Sequence, residues 1–367
     1  MSVRRRRATR CSSGSAPGTS SSIPTMATAT TRDGTVTAPS STGSSRAISW
    51  IGTGPRDGSG RERVMDPTDG AVREYWQDTL DDLARYPARP EIDMLPLRST
   101  PFATLYGARL TSLGPYRLFG YLSIPTGTGP FPAIYYPPKY QSVLEIIPQG
   151  TANLQRSRYI TFSLAGRGQR NADTPFAAMF PGLLTEGIDT AASYVFRGIV
   201  ADAIRGLAFL LTRRELDAAR VVLVGNDVAL ITAALTPGAT HVVATPALFY
   251  KTAELAAKTP TYPLEEINDY VRLYPTRAEA VRRTLAYYDL RGFAPRVTAA
   301  TLLMAGAPGT LLDARALEPL VTAMKSPVTV HESEQSTYKD GLYAEKWMAA
   351  RCGITDVQNI LPEHWRD

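Results

Sequence analysis

Residues 220–235 read RVVLVGNDVALITAAL. Within the first six residues, the apolar run from Val221 to Val224 is typical of a strand buried on both faces. Gly225 then marks a turn, and the apolar run from Val228 to Leu235 is typical of a buried helix. A strand, a tight turn and a helix in this order predict a unit of a mostly parallel sheet.

The same alternation extends in both directions along the chain. Strand patterns and helical patterns succeed one another, which predicts βαβ units and a mostly parallel central sheet with helices on both faces. Residues 250–288 interrupt the alternation and are polar and helical, so we expect them to form a small cap. The strand patterns lie at 117–124, 132–136, 159–164, 241–245, 301–306 and 327–331, and the helical patterns at 75–86, 199–211, 314–324 and 341–351.

The N-terminal part differs sharply from the rest in composition. Residues 1–64 hold ten arginines, no lysine and three acidic residues, whereas the whole chain has a net charge of +6. Residues 1–65 are rich in Ser, Thr, Gly and Pro and poor in large apolar residues, so we expect a disordered basic tail. We expect residues 66–367 to form one domain with a net charge close to zero. We therefore expect no nucleic-acid partner for it. Met1, Met26 and Met65 are alternative translation starts.

Composition also limits the chemistry. Cys11 and Cys352 are the two cysteines, at opposite ends of the chain, which favours a reducing, cytoplasmic setting. The mean hydropathy is −0.15 and no apolar run has the length of a membrane span, so we expect a soluble protein without a membrane partner. Phosphate loops, nucleotide fingerprints and metal-ligand clusters are absent from the sequence, so we expect no cofactor and no metal.

Several segments of residues 72–350 resemble the carbohydrate esterase family of acetyl xylan esterases and cephalosporin C deacetylases, carbohydrate esterase family 7. Their order and spacing carry the resemblance. It implies an α/β-hydrolase fold and a homo-oligomer, or a hetero-oligomer with a paralogue. The matching segments are YWQDTLDDLARY (75–86), PAIYYPPKY (132–140), RGQ (167–169), DA (202–203), YPLEEINDY (262–270) and TLAYYD (284–289).

The resemblance assigns three positions to a catalytic triad, and none holds the family residue. The family's nucleophile elbow is Gly-x-Ser-x-Gly, and Asp227 stands in its Ser position. Gly309 stands where the family has its acid. Ser336, or Gln335 in a register shifted by one, stands where the family has its His. An esterase needs a nucleophile, a base and an orienting acid, so this pattern argues against ordinary ester hydrolysis.

The resemblance also assigns residues around the site. Tyr140 corresponds to the family tyrosine that donates a hydrogen bond to the oxyanion. Val228 follows the nucleophile position, and its backbone N–H is the second expected oxyanion donor. Arg167 and Gln169 are expected to brace the loops near the elbow. Together with Val228 and His331, they are also the residues expected to contribute to binding. His331 lies within a strand pattern, where a buried structural role is the ordinary interpretation.

Asp227 has two interpretations from sequence. A carboxylate at an elbow near a helix N-terminus can act as a nucleophile, although hydrolysis of its ester would need a His-activated water. The alternative is that Asp227 caps the following helix. Asp313 is expected to cap the next helix along the chain.

Three functions follow from these residues. The leading hypothesis is a non-hydrolytic family member that binds a small molecule or serves as an inactive partner subunit. The second is an enzyme with rewired chemistry, a hydrolase, lyase or cyclase that uses Asp227, Tyr140 or His331 as acid or base. The third is retained hydrolysis of a carboxylic ester in an acylated substrate.

Overall fold

A computed structural model describes residues 66–140, 155–169 and 176–355. The predicted disordered tail, the alternative starts and residues 356–367 lie outside the described residues. All described residues belong to one compact unit.

The described residues contain a nine-stranded sheet with the strand order β1-β2-β3-β5-β4-β6-β7-β8-β9. Strands β1, β2, β3 and β5 pair antiparallel, and β5, β4, β6, β7, β8 and β9 pair parallel. The sheet is therefore mostly parallel, as the sequence predicts. The strands are β1 (Glu91–Met94), β2 (Ala103–Thr111), β3 (Arg117–Pro125), β4 (Phe131–Tyr136), β5 (Ile160–Ala165), β6 (Leu216–Asn226), β7 (His241–Thr245), β8 (Ala300–Ala305) and β9 (Val328–Glu332).

Helices follow most of the parallel strands. Residues 250–288, predicted as a helical segment, contain α4, α5 and α6. The helices are α1 (Asp69–Ala84), α2 (Val195–Leu210), α3 (Asp227–Leu235), α4 (Thr252–Ala256), α5 (Glu265–Leu273), α6 (Ala278–Ala286), α7 (Leu290–Phe293), α8 (Ala314–Ala323) and α9 (Thr337–Arg351), with 3₁₀ turns at Pro96–Arg98, Leu183–Thr185, Pro275–Arg277 and Ala294–Arg296.

Alternate residues of the central strands face two separate hydrophobic clusters. On one face, Val221 and Leu223 of β6 pack in the large cluster that includes α1, α2 and α3. On the other face, Val222 packs with Met348 of α9 and with Cys352. Because successive strand residues point to opposite faces, a continuous apolar run such as that of β6 needs cover on both. The predicted helices on both faces are confirmed.

Two strands were not predicted. β1 lies at the sheet edge with all four residues exposed, so it has no apolar pattern to read. In β2, the neighbours Gly107 and Ala108 are both buried, as are Leu110 and Thr111, so the strand lacks a regular alternation. No described helix has both the length and the apolar character needed to cross a bilayer.

Candidate functional site

The elbow is the junction of β6 and α3, at the centre of the sheet. Asn226 ends the strand and caps the helix, because its side-chain oxygen accepts a hydrogen bond from the N–H of Val228 at 3.1 Å. Gly225 lies against Ala229: a Cβ built on the glycine would be 3.3 Å from the alanine Cβ. The described non-glycine residues with positive φ lie elsewhere in the chain, so this elbow lacks the strained backbone of a nucleophile turn.

Asp227 is the first residue of α3 and is fully buried. Both carboxylate oxygens are occupied by consecutive backbone N–H groups of the loop after β7. Oδ2 accepts from Ala247 at 2.9 Å and Leu248 at 3.0 Å, and Oδ1 accepts from Phe249 at 2.9 Å. Buried N–H groups need acceptors, and a carboxylate is a strong one. Asp227 therefore fastens this loop to the elbow.

One of the two interpretations of Asp227 from the sequence is wrong. Asp227 does not cap α3, because Asn226 holds that position and satisfies the helix N–H group. Asn and Asp are both good N-cap residues. Here α3 already begins at Asp227, so the cap position falls on the residue before it, Asn226. The Val228 N–H, expected as an oxyanion donor, donates to the Asn226 side chain in this structure, and the oxyanion role stays a prediction.

The electrostatics of Asp227 fit this buried position. Burial raises the pKa of its carboxyl above the usual range, although the hydrogen bonds from Phe249, Ala247 and Leu248 act to lower it. A raised pKa is one property of a general base. A base must also reach a substrate proton, and a fully buried carboxyl with both oxygens bound to backbone does not.

Tyr140 points toward the cap segment. Its hydroxyl donates to Oε1 of Glu266 on α5, and Oε2 of the same carboxylate accepts the N–H of Leu184 at 2.8 Å. Burial is the main cause that raises the pKa of both Tyr140 and Glu266. The phenol is thus bound to a buried carboxylate rather than held ready for an oxyanion.

Glu266 was missed as a site residue by the sequence reasoning. It is 1% exposed, between Leu264 and Ile267 in a segment quoted only for its resemblance. An acidic residue on the apolar face of a helix is the signal that points to a buried partner. The partner itself is 126 residues away in the chain and is visible only in the fold.

Arg167 and Gln169 hold loops together. The Arg167 guanidinium forms two 2.8 Å hydrogen bonds to the fully buried Asp202 of α2. It also donates to the carbonyl of Leu113 at 3.0 Å. Gln169 accepts the N–H of Gly166 at 2.7 Å and donates to the carbonyl of Lys139 at 3.1 Å. The Gln169 bond to Lys139 braces the loop that carries Tyr140, whereas the Arg167 bonds join α2 to the loop between β2 and β3. A binding role for either residue stays a prediction.

The positions assigned to the acid and the His have local turn roles. Gly309 has a φ of 81° and donates its N–H to Asp313, which caps α8 as the sequence predicts. Ser336 caps α9, and its hydroxyl accepts the N–H of Lys339 at 3.3 Å. Gln335 has a φ of 58° in the turn before it. Each residue therefore satisfies a need of its own loop or helix end.

His331 lies in β9 and is 9% exposed. Its Nε2 is 2.9 Å from Oδ1 of Asp340, and its ring stacks on Tyr343 with centroids 4.1 Å apart. Asp340 also accepts the hydroxyl of Ser333 and the N–H of Glu334. His331 therefore fastens α9 to the sheet and has different partners from Asp227.

The fold brings the loops of these residues to one edge. Tyr140, Asp227, Gly309 and Ser336 follow the carboxyl ends of β4, β6, β8 and β9, and such ends meet at one edge of a parallel sheet. Within the described residues, no hydrogen bond joins these four side chains or backbones to one another. The same part of the chain contains no group of three or more His, Cys, Asp or Glu side chains that could hold a metal ion.

A family model for acetyl xylan esterase matches residues 61–314. The chain belongs to the acetyl xylan esterase family. Acetyl esterase Axe7A of Xylanibacter ruminicola is 23% identical over 237 residues, which are 61% of this chain and 53% of that protein. The chain thus spans about half the length of this curated relative.

Two solved acetyl xylan esterases share the fold. The enzyme from Thermoanaerobacterium sp. superposes with a TM-score of 0.67 at 21% identity, over 78% of this chain and 95% of its own. The enzyme from Paenibacillus sp. superposes with a TM-score of 0.65 at 20% identity, over 79% and 96%. The predicted α/β-hydrolase fold of this acetyl xylan esterase family member is confirmed.

Proposed function

We propose that this chain is a non-hydrolytic member of the acetyl xylan esterase family, which binds a small molecule or serves as an inactive partner subunit. The observation that carries the proposal is the state of Asp227. Its carboxyl is fully buried, and its two oxygens accept three backbone N–H groups. A side chain in this position supports a loop and has no oxygen facing a substrate.

The other groups that an esterase would use also have hydrogen-bond partners within the protein. Ester hydrolysis needs a base within hydrogen-bond reach of the nucleophile and donors aimed at the oxyanion. The Val228 N–H donates to Asn226, and the Tyr140 hydroxyl donates to Glu266. The His position of the family holds Ser336, which caps a helix. These contacts favour loss of esterase chemistry, because they engage both oxyanion donors and the residue at the His position.

An enzyme with rewired chemistry is the second candidate. The observation in its favour is the Tyr140–Glu266 pair, since burial raises the pKa of both groups and a carboxyl of raised pKa suits acid–base catalysis. Hydrolysis of an acetyl ester, the activity printed in the relatives' names, is the third candidate and has the least support from the contacts of Asp227.

The test is an assay with p-nitrophenyl acetate on the full chain from pH 5 to 9, beside Tyr140→Phe and Glu266→Gln. Asp217→Ala serves as a control, because Asp217 lies at the opposite end of β6 and pairs with Arg220. We expect no rate above buffer for any of the four proteins. A rate that persists in the control but disappears in Tyr140→Phe contradicts the proposal and supports rewired chemistry.

Assembly is part of the same proposal. The resemblance to the esterase family implies a homo-oligomer or a hetero-oligomer with a paralogue, and large apolar side chains are exposed beside the cap. Met179, Phe180 and Tyr262 are 75%, 68% and 55% exposed. We expect light scattering to give a mass of at least twice 39.9 kDa. A monomer that stays monomeric at high concentration removes the homo-oligomer from the proposal.

A further inference from the structure

Two neighbouring cavities lie beside α1, and Arg73 and Arg296 line both of them. Their volumes are about 380 Å³ and 330 Å³, and the larger has the size of a small-molecule site. None of the residues assigned to the esterase site lines either cavity. The larger cavity is lined by Arg73, Glu74, Trp76, Gln77, Leu80, Ala234, Leu235 and Arg296.

The two arginines have no carboxylate partner within the described residues. The side chain of Arg73 donates to the carbonyl of Asp69 at 3.2 Å, and that of Arg296 donates to the carbonyl of Gly292 at 3.1 Å. Burial, followed by the nearby positive charge of Arg73, lowers the pKa of Arg296. Two like charges that repel one another at a cavity wall are stabilised by an anion between them.

Acidic groups near the cavities are largely engaged elsewhere. In the smaller cavity, Asp289 accepts two hydrogen bonds from Arg291, and Asp66 pairs with Arg282. Asp69 has only a weak favourable effect on the charge of Arg296, the smallest of the three causes that act on its pKa. In the larger cavity, the lining residues include two arginines and one acidic residue, the exposed Glu74. The lining therefore carries a net positive charge.

Beside the two arginines, the larger cavity is lined by the polar residues Glu74 and Gln77 and by four apolar residues. Trp76 is 1% exposed, and its indole N–H already donates to the carbonyl of Tyr287 at 3.0 Å. Leu80 and Leu235 complete an apolar wall. Trp76 is thus packed behind the wall, and the cavity offers a ligand two guanidinium groups and an aliphatic surface. A carboxylate attached to a hydrocarbon or aromatic ring matches both surfaces, because Arg binds carboxylates in a planar fork.

We propose that the Arg73–Arg296 cavity binds a small organic carboxylate with an apolar body. This site is independent of the proposed loss of esterase chemistry, since it lies apart from the elbow and uses other residues. The residues 1–65 that precede it in the chain carry an excess of arginine, so their charge opposes docking in this cavity.

The test is calorimetric titration of the full chain with benzoate, beside Arg73→Gln and Arg296→Gln. Arg315→Gln is the matched control, because Arg315 is exposed on α8 and lines neither cavity. We expect saturable binding that weakens at least tenfold in each cavity variant and stays unchanged in the control. Benzylamine, which has the same ring and the opposite charge, should not bind.

Two results overturn the proposal. One is the absence of saturable benzoate binding to the wild-type chain. The other is benzoate affinity that is equal in the wild type and in both cavity variants. Circular dichroism of each variant shows whether the fold is kept, and exposed Arg73 is the position at which a change to Gln disturbs packing least.

Discussion

Two buried carboxylates near the same edge of the sheet have different partners. Asp202 meets the guanidinium of Arg167, in a motif that resembles the family's own. Asp227, at the position that the resemblance assigns to the nucleophile, accepts hydrogen bonds from three backbone N–H groups instead. The chain keeps family residues where they brace loops. At the positions that the resemblance assigns to the family's chemistry, we propose that it has residues that only stabilise turns and helix ends.

The largest effect should come from Asp227→Ala. The change leaves the N–H groups of Ala247, Leu248 and Phe249 buried without an acceptor, and each such group costs about 1–3 kcal/mol. We expect the free energy of unfolding to fall by roughly 4 kcal/mol in urea titration. Asp217→Ala, the surface control, should change it by about 0–1 kcal/mol. A loss below about 1 kcal/mol for Asp227→Ala would show that the loop does not depend on this carboxylate.

Arg167→Ala should have the next largest effect. The variant leaves Asp202 charged and fully buried without its cation, and breaking such a pair costs about 3–5 kcal/mol. The Arg167 side chain is 16% exposed, so we expect the low end of this range, about 3 kcal/mol. Removing both charges in Arg167→Ala with Asp202→Ala should restore part of the stability. Additive losses in the double variant would contradict direct pairing.

The pH dependence of stability gives a sharper comparison of wild type and Asp227→Asn. Because burial raises the pKa of Asp227 in the folded chain, the folded state holds this proton more tightly than the unfolded state. The stabilisation of the folded state by this proton is complete below the ordinary Asp pKa of about 4. It is lost as the pH rises through the pKa that Asp227 has in the folded chain. The stability advantage of wild type over Asp227→Asn should therefore shrink from acid to neutral pH. An advantage that grows with pH would mean a lowered pKa.

The smallest effect should come from Ser336→Ala, at the position that the family gives to its His. Loss of the helix cap costs about 1 kcal/mol. Thermal unfolding should show this modest loss, with benzoate binding unchanged. A much larger loss would mean that Ser336 has contacts beyond its own helix.

The sequence predicts the centre of the fold well because the central strands are apolar on both faces. β7 has the predicted bounds, and α3 begins one residue before the predicted Val228. Strands β1 and β2 were missed because their residues carry no clear alternation. The antiparallel pairing of β2 with β3 depends on neighbours rather than on its own pattern.

The sequence assigns positions to a candidate site, which stay a prediction, but it does not give the contacts of these residues. Asn226 and Asp227 are adjacent and both suit a helix cap, so the sequence does not say which one caps α3. The acceptor role of Asp227 depends on N–H groups that are 20 to 22 residues away along the chain. The link between Tyr140 and Glu266 likewise joins distant segments. Local patterns cannot encode such partners, because they arise from the packing of whole elements.

The most direct test of the central claim, that Asp227 supports a loop and does no chemistry, is p-nitrophenyl acetate turnover by the wild type and by Asp227→Asn. The variant keeps the shape of the side chain and removes its charge. We predict no rate above buffer in either protein. A wild-type rate that disappears in a folded Asp227→Asn variant would contradict the account and make Asp227 a catalytic residue.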